Sequence, residues 1–378
     1  MYKAYRFRIY PNEEQKILIH KTFGCSRFVY NYYLSYIEKH KYLNATSCIE
    51  HYVEHLKQEY PFLTEVDSII IRKALFNLET AFKKFFNKQE NYPKYKSKYT
   101  RNSYNTGAIY REYKGKQYCN IELDLERRKI KLPKLKWVKL RGYRNLKEIR
   151  GKVINATISK ESNGKYYVSV VYEIPSSTNI YLKPQNIVGL DLGIKKLITL
   201  SNGETYENNK YILKYEKRIK RLQRSLARKE KQSKNYYKCK HQLAILHSKL
   251  KNARNYYLHK ITKQITDTYD IIATEKLQIK NMLQNKNLSK NIIDVSFYEI
   301  IRQLQYKSKN KGKYFYQIDT FYPSTQTCSV CGNIDKKYKD LNERIYYCCN
   351  CENELDRDLN ASINIMFEGI KLYMKNFV

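Results

Sequence analysis

The sequence predicts an α/β protein joined to a β-barrel and a helical part, and three observations predict it. Residues 187–203, IVGLDLGIKKLITLSNG, read as two short apolar strands around a basic turn. Residues 212–257 carry two helical stretches with apolar positions three or four apart, and residues 129–173 alternate apolar and polar residues in short runs.

Taken in order, Tyr2–Tyr10 is a strand, Pro11 and Asn12 a turn, and Asn12 with Gln15 an N-cap and its reciprocal partner. Ile17, Leu18, Phe28, Val29, Leu34, Ile37, Ile70, Ile71, Leu75, Leu78 and Phe82 then predict a small helical bundle ending near residue 90. YPKYKSKYTRNSYNTG, from residue 92, is a basic aromatic loop. Beyond it, VINATISKESNGKYYVSVVYEI is a hairpin, with Val153, Ile154, Ala156 and Ile158 before the SNGK turn and Tyr166, Val168, Val170 and Tyr172 after it. This β region is expected to form a barrel that includes the N-terminal strand, with the helical part inserted. Residues 206–268 predict an antiparallel helical hairpin, its seam made by Ile212, Tyr215, Ile219, Leu222 and Leu226 against Leu243, Leu246, Leu250, Ala253 and Tyr257.

Charge bounds the function. With 72 Lys and Arg against 36 Asp and Glu, the formal net charge is +36, a field that concentrates polyanions, so nucleic acid is the expected partner. The 39 Tyr and 13 Phe offer stacking surface for bases, although their abundance, with a single Trp, also suits an AT-rich genome. No stretch approaches the ~18 apolar residues of a membrane span, and MYKAYRFRIYP lacks the apolar core of a signal peptide, so a cytoplasmic, nucleoid-associated location is expected.

Against this basic background, one acid stands out. Asp191 lies in a strand that reads as buried on both faces, where a carboxylate must be paired or hold a metal. Either Lys195 or Lys196 would serve as a pair; a metal would demand further acids. Glu275 ends a second apolar run, Ile271–Ala273, and Asp356 and Asp358 precede a helix with Leu359, Ile363 and Met366 on one face and Ala361 and Ser362 small enough to let it pack closely against a sheet. Alone, each has an ordinary reading as a solvated strand end or a helix cap. Together, three carboxylates at two strand ends and a helix start can hold two Mg²⁺ for in-line phosphodiester hydrolysis.

Nine cysteines are present, and four fall in two pairs, Cys328/Cys331 and Cys348/Cys351, with sixteen residues between the pairs. That spacing predicts a closed tetrahedral Cys₄ Zn²⁺ site with a structural role and no open position for chemistry. Cys349 has only one residue between it and Cys351 and reads as a bystander; Cys25, Cys48, Cys119 and Cys239 read as small core residues.

GLDLGIKKLITLSNG, IIATEKLQIKNM, CSVCG with YYCCNC, and DRDLNASINI, in this order, resemble the split RuvC-type nuclease domain of the TnpB family, transposon-encoded RNA-guided DNA endonucleases related to type V CRISPR effectors. YRFRIYPNEEQ, FGCSRFVYN and YPKYKSK resemble that family's N-terminal region. The resemblance implies an RNase H-like (RuvC) nuclease domain with a zinc-ribbon insertion, and a wedge-type β-barrel interrupted by a helical recognition domain. On this chain the implied parts are 1–11 and 91–185 for the barrel, 12–90 for the helical domain, 186–320 and 355–378 for the nuclease, and 321–354 for the ribbon. It implies Asp191, Glu275 and Asp358 as catalytic Mg²⁺ ligands, Asp358 being chosen over Asp356 because the motif acid lies two residues before Asn360. It further implies a guide RNA from the transposon end and double-stranded target DNA beside a short motif; Arg8, Arg27, Lys94, Lys96 and Lys98 are candidate contacts. Departures are small: Lys276 stands where the family often has an acid, Glu352 where Gly is common, and Ser362 where Ala is usual. A catalytically silent RNA-guided regulator, a zinc-ribbon nucleic-acid binder and a transposase are the alternatives; the intact acid set argues against the first, the second leaves the acids without a reason, and the third stands because RNase H-like folds host transesterification too.

Overall fold

The computed structural model describes residues 1–40, 44–100, 102–142, 151–175, 184–285, 289–339 and 343–376. The chain forms two compact units, Met1–Ser177 and Thr178–Val378. The boundary expected at 185/186 lies just after residues 176–183, which are outside the described ones.

In the first unit, β1 (Tyr2–Tyr10) leads into α1 (Glu13–Lys39), whose capping box forms as the spacing predicts. Asn12 Oδ1 accepts from the Gln15 amide at 2.8 Å and Gln15 Oε1 from the Asn12 amide at 3.1 Å. Helices α2 (Ala45–His51), α3 (Lys57–Glu59) and α4 (Ser68–Phe86) follow. Next come β2 (Asn102–Gly107), β3 (Tyr110–Tyr113), β4 (Lys116–Cys119), β5 (Glu122–Asp124), β6 (Lys129–Leu132), β7 (Lys136–Arg141), β8 (Lys152–Lys160) and β9 (Tyr166–Glu173). Seven of these strands make one antiparallel sheet in the order β2-β8-β9-β1-β7-β6-β5, so the N-terminal strand is its centre. The expected hairpin is there, with Ile158 opposite Val168, Ala156 opposite Val170 and Val153 opposite Tyr172. Helices α1 and α4 lie on this sheet, and the helices also pack on one another. Ile19 and Phe23 of α1 and Ile70 of α4 share a core with Phe7, Ile9, Val138 and Val168, while Val29, Leu34, Ile71 and Leu75 form a second core among the helices.

The second unit is α/β. Its sheet has the order β12-β11-β10-β13-β14, from β10 (Ile187–Leu192), β11 (Lys196–Leu200), β12 (Thr205–Glu207), β13 (Ile271–Glu275) and β14 (Tyr314–Ile318). β11 is antiparallel to β10 and β12, and β10, β13 and β14 run parallel. The helical hairpin is α5 (Tyr211–Ala227) and α6 (Lys234–Thr268), closed by Ile219, Leu222, Leu243, Leu246 and Leu250. It begins at residue 211 instead of the expected 206, because Thr205–Glu207 pairs with β11 and extends the sheet. Short helices α7 (Ile279–Met282) and α8 (Ser289–Val295) precede α9 (Phe297–Asn310); the hairpin β15 (Ile345–Tyr347) and β16 (Glu354–Asp356) runs straight into α10 (Arg357–Lys375). Asp356 both ends strand β16 and caps α10.

Strand alternation decides which side of this sheet carries chemistry. Val188, Leu190 and Ile272 point into a core with Leu258, Ile261 and Ile265 of α6 and Ile300 and Leu304 of α9. Gly189 and Ala273 point the other way, under α10. An added Cβ at Gly189 would stand 2.0 Å from the Ser362 carbonyl oxygen, and one at Gly369 would stand 2.4 Å from the Ala273 Cβ. That close approach agrees with the small residues Ala361 and Ser362, as expected. Leu359, Ile363 and Met366 are only half-buried, and Asn360, Ala361, Ser362, Asn364, Ile365 and Gly369 are the buried positions. Small side chains win here because a leucine-lined helix cannot lie that near a strand.

Candidate active site and metal cluster

Two steps along β10 from Gly189 comes Asp191, and two steps along β13 from Ala273 comes Glu275; both therefore lie on the α10 side. Leu190 pairs with Thr274, so the two acids follow one residue later on neighbouring parallel strands, ~4.8 Å apart by sheet geometry. Asp358 enters from the first turn of α10. The three are close enough to feel one another. Loss of hydration, then the charges of Glu275 and Asp358, push the Asp191 carboxyl up to about 8, against a smaller opposing pull from Arg357. Burial also raises Glu275, opposed by the Ser324 hydroxyl, which donates to its Oε1.

Asp356 and Asp358 divide two tasks. Asp356 Oδ1 accepts from the amides of Asp358 (2.9 Å) and Leu359 (3.2 Å), an N-cap, and its other oxygen receives Lys196 Nζ at 3.2 Å. Lys196, offered from sequence as a partner for Asp191, is thus engaged by Asp356. Asp358 keeps Arg357 Nη2 at 3.4 Å and Arg344 Nη1 at 4.0 Å.

Sequence reasoning missed the residues that hold this site. Asn360 Nδ2 donates to the Thr327 carbonyl (2.7 Å) while its Oδ1 accepts from the Ser329 amide (2.9 Å). One turn on, Asn364 Nδ2 donates to the carbonyls of Ser324 (2.8 Å) and Thr327 (2.6 Å). Both asparagines are buried, so α10 grips the loop that carries Ser324 to Glu275 and Cys328 to the cysteine cluster. The i, i+4 pair of asparagines was a visible signal; Ser324, in a Ser/Thr-rich run, had none.

In the cysteine cluster, the Sγ atoms of Cys328, Cys331, Cys348 and Cys351 all lie within 4.8 Å of one another, with 3.6 Å between Cys328 and Cys351 and 3.5 Å between Cys331 and Cys348. A tetrahedron with Zn–S bonds of about 2.3 Å has edges of roughly 3.8 Å, so the donor set fits Zn²⁺. Two matching knuckles present the thiols. The Cys328 amide donates to the Asn333 carbonyl (2.8 Å) and the Gly332 amide to the Cys328 carbonyl (3.0 Å); Cys348, Asn353 and Glu352 repeat both bonds at 2.9 and 2.8 Å. Gly332 has φ +77°, and Glu352 at the same place has φ +56°, a left-handed conformation that explains why glycine suits that position. Cys349 is exposed and outside the set, while Cys25, Cys48 and Cys239 are buried.

The acids are less tightly gathered. Among the described residues only the cysteines bring three or more ligand atoms close enough to share one ion as they stand. Three carboxylates repel, and Mg²⁺ sites use one or two carboxylates per ion with water completing the shell, so the donor set fits hard cations in that looser form.

The candidate nucleic-acid contacts lie in the first unit. Arg8 is on the face of β1 opposite Phe7 and Ile9, its guanidinium 4.6 Å from the Tyr10 ring centre. Lys94 and Lys98 are exposed. Arg27 and Lys96 have internal partners. Arg27 Nη1 donates to Asn102 Oδ1 at 2.7 Å. Lys96 Nζ sits 3.5 Å over the Tyr30 ring, its backbone makes two bonds with Asn31, and burial pushes its ammonium down to about 8.

Known proteins place the chain. It is 31% identical to a Streptomyces pristinaespiralis protein named "Putative RNA-guided DNA endonuclease", over 97% of this chain and 89% of that one. It is 32% identical to the Escherichia coli K12 protein "Putative RNA-guided DNA endonuclease InsQ", over 97% and 92%. A mimivirus "TnpB-like protein" is 27% identical over 58% of this chain and 44% of its own. The chain belongs to the TnpB family.

Three family profiles match it: "Probable transposase" over residues 169–286, "Cas12f1-like, TNB domain" over 297–365 and "Helix-turn-helix domain" over 1–42. In this TnpB-family chain the last segment is a strand and one 27-residue helix, so that description names the profile and not the local structure. A solved "Cas12f1-sgRNA-target DNA complex" contains a chain of the same fold, with TM-score 0.57, 14% identity, and coverage of 97% of this chain and 98% of that one. No helix among the described residues is long and apolar enough to cross a membrane.

Proposed function

We propose that the protein is an RNA-guided DNA endonuclease encoded by a transposable element, and that it cuts target DNA beside a short adjacent motif by Mg²⁺-dependent phosphodiester hydrolysis. The observation that carries this reading is the meeting of Asp191, Glu275 and Asp358, from two strand ends and a helix start, on the side of the sheet that α10 covers. The second unit is then the RNase H-like, RuvC-type nuclease with its ribbon, and the seven-stranded sheet of the first unit the wedge-type barrel.

Asp191 and Glu275 would hold Mg²⁺ from neighbouring strands, and Asp358 would complete the ligand set from α10. Ser324 fixes the rotamer of Glu275, and the Asp356 cap sets the direction in which Asp358 leaves the helix. Bound Mg²⁺ supplies an oriented attacking water and stabilisation of the leaving 3′ oxygen. Lys276, exposed beside Glu275, meets the incoming phosphate backbone. The relatives' names and the net charge of +36 support a guide RNA and target DNA as partners; that the RNA comes from the transposon end and the target is double-stranded is part of the proposal.

The "Probable transposase" profile favours a second reading, transesterification by the same acids. Sequencing the RNA that co-purifies when the protein is expressed with its flanking non-coding DNA, then cutting DNA matched to that RNA in Mg²⁺, tests both. A guide and free cut ends support the nuclease; joined strand-transfer products without a guide overturn it.

A further inference from the structure

At 84% exposure, Phe321 is the most solvent-exposed large apolar side chain among the described residues, and both ends of the short loop that carries it touch Glu275. It lies three residues after Ile318, which pairs with Glu275 at the carboxyl ends of β14 and β13, and three before Ser324, which bonds Glu275. The turn that carries it is braced. Asp319 Oδ1 accepts from the Phe321 amide (2.7 Å), the Asp319 carbonyl accepts from the Tyr322 amide (3.3 Å), and the Tyr322 carbonyl accepts from the Ser324 amide (2.8 Å). Tyr322 packs on Ala273, Ile318 and Ile365, so the neighbouring ring is anchored inward while Phe321 is held out. A water-facing phenyl ring on a braced turn whose ends touch Glu275 has the form of a base-stacking platform.

We propose that Phe321 is a substrate-positioning residue that stacks on an unpaired base of the DNA strand entering the acid site. This rests on the nuclease reading above. Stacking of this kind is sequence-tolerant because every base has a π-face, which suits an enzyme whose sequence reading is done by a guide.

The test uses the full chain, and the single Trp137 makes it spectroscopic. With Trp137→Phe and Phe321→Trp combined, poly-thymidine added in EDTA is expected to quench the indole emission saturably, while an abasic backbone of equal length leaves it unchanged. Equal responses to the two, or none to either, overturn the proposal. In the RNA-loaded protein, Phe321→Ala and Phe321→Leu are expected to raise KM roughly 5- to 150-fold with little change in kcat, and Phe321→Tyr to restore it. Unaltered KM in both the alanine and leucine variants overturns the proposal while leaving the nuclease reading intact. Should the RNA-loaded unsubstituted protein cut nothing, the nuclease reading fails, and the quenching measurement still decides whether Phe321 stacks.

Discussion

The cysteine cluster and the acid cluster sit at opposite extremes of how a chain can build a metal site. All four cysteines come from residues 328–351, and their sulfurs converge as they stand, because two short knuckles aim them with local backbone bonds. The acids come from residues 191, 275 and 358 and meet only because a parallel strand pair and a helix pack together. A locally built site is limited by its turns. A globally built one is limited by every contact that keeps the helix on the sheet, and here the two are joined, since Asn360 and Asn364 tie α10 to the loop before and within the first knuckle.

The largest expected effect falls on the cysteine side. Stripping the metal with a chelator, or Cys348→Ser, should remove about one Zn²⁺ per chain and on the order of 10 kcal/mol of local stability, read by metal analysis and by amide exchange across residues 328–351. A ribbon that keeps its protection without metal would break the comparison. On the acid side, Asp191→Asn should slow cutting about a thousandfold or more, as loss of several kcal/mol of transition-state stabilisation requires, with the melting temperature of the metal-free protein unchanged or higher. The sign follows from the electrostatics: removing one of three mutually repelling, poorly hydrated carboxylates relieves the folded state. A large fall in melting temperature would mean that Asp191 is structural.

Gly189→Ala probes the packing that gathers the acids. Its Cβ would meet backbone of α10 at 2.0 and 2.5 Å, so about 3 kcal/mol of stability should be lost together with cutting, although no ligand is touched. The smallest effect belongs to the knuckles. Glu352→Gly should relieve left-handed strain and add about 1 kcal/mol, raising the melting temperature by about 2–4 °C if the second unit melts as a whole. A fall instead would show that the Glu352 side chain contributes something its backbone does not.

Legibility followed the same division. The capping box at Asn12, the 153–172 hairpin, the hairpin seam and the two cysteine pairs were all readable, because each is a relation between residues near in sequence. The close packing of α10 was legible in the small residues Ala361 and Ser362, but that Asn360, Asn364 and Gly369 join them as buried positions while Leu359, Ile363 and Met366 stay half-buried depends on the nearness of Gly189. The start of α5 was misjudged because Thr205–Glu207 finds a partner in β11 that no local pattern announces. Ser324 was invisible for the same reason: a hydroxyl becomes a carboxylate's partner only once a distant strand end is beside it.

What the sequence determined by itself was the chain's charge, its cysteine knuckles, its strand and helix periods and the three acids as isolated oddities in apolar surroundings. What only the tertiary structure decided was that those acids share one face, that Asp356 caps while Asp358 faces them, and that Lys196 is engaged elsewhere. The physical reason is range. Backbone turns and side-chain periods act over a few residues and are written in the order of the letters, whereas carboxylates gathered against their own repulsion exist only where sheet register and a close-packed helix hold them.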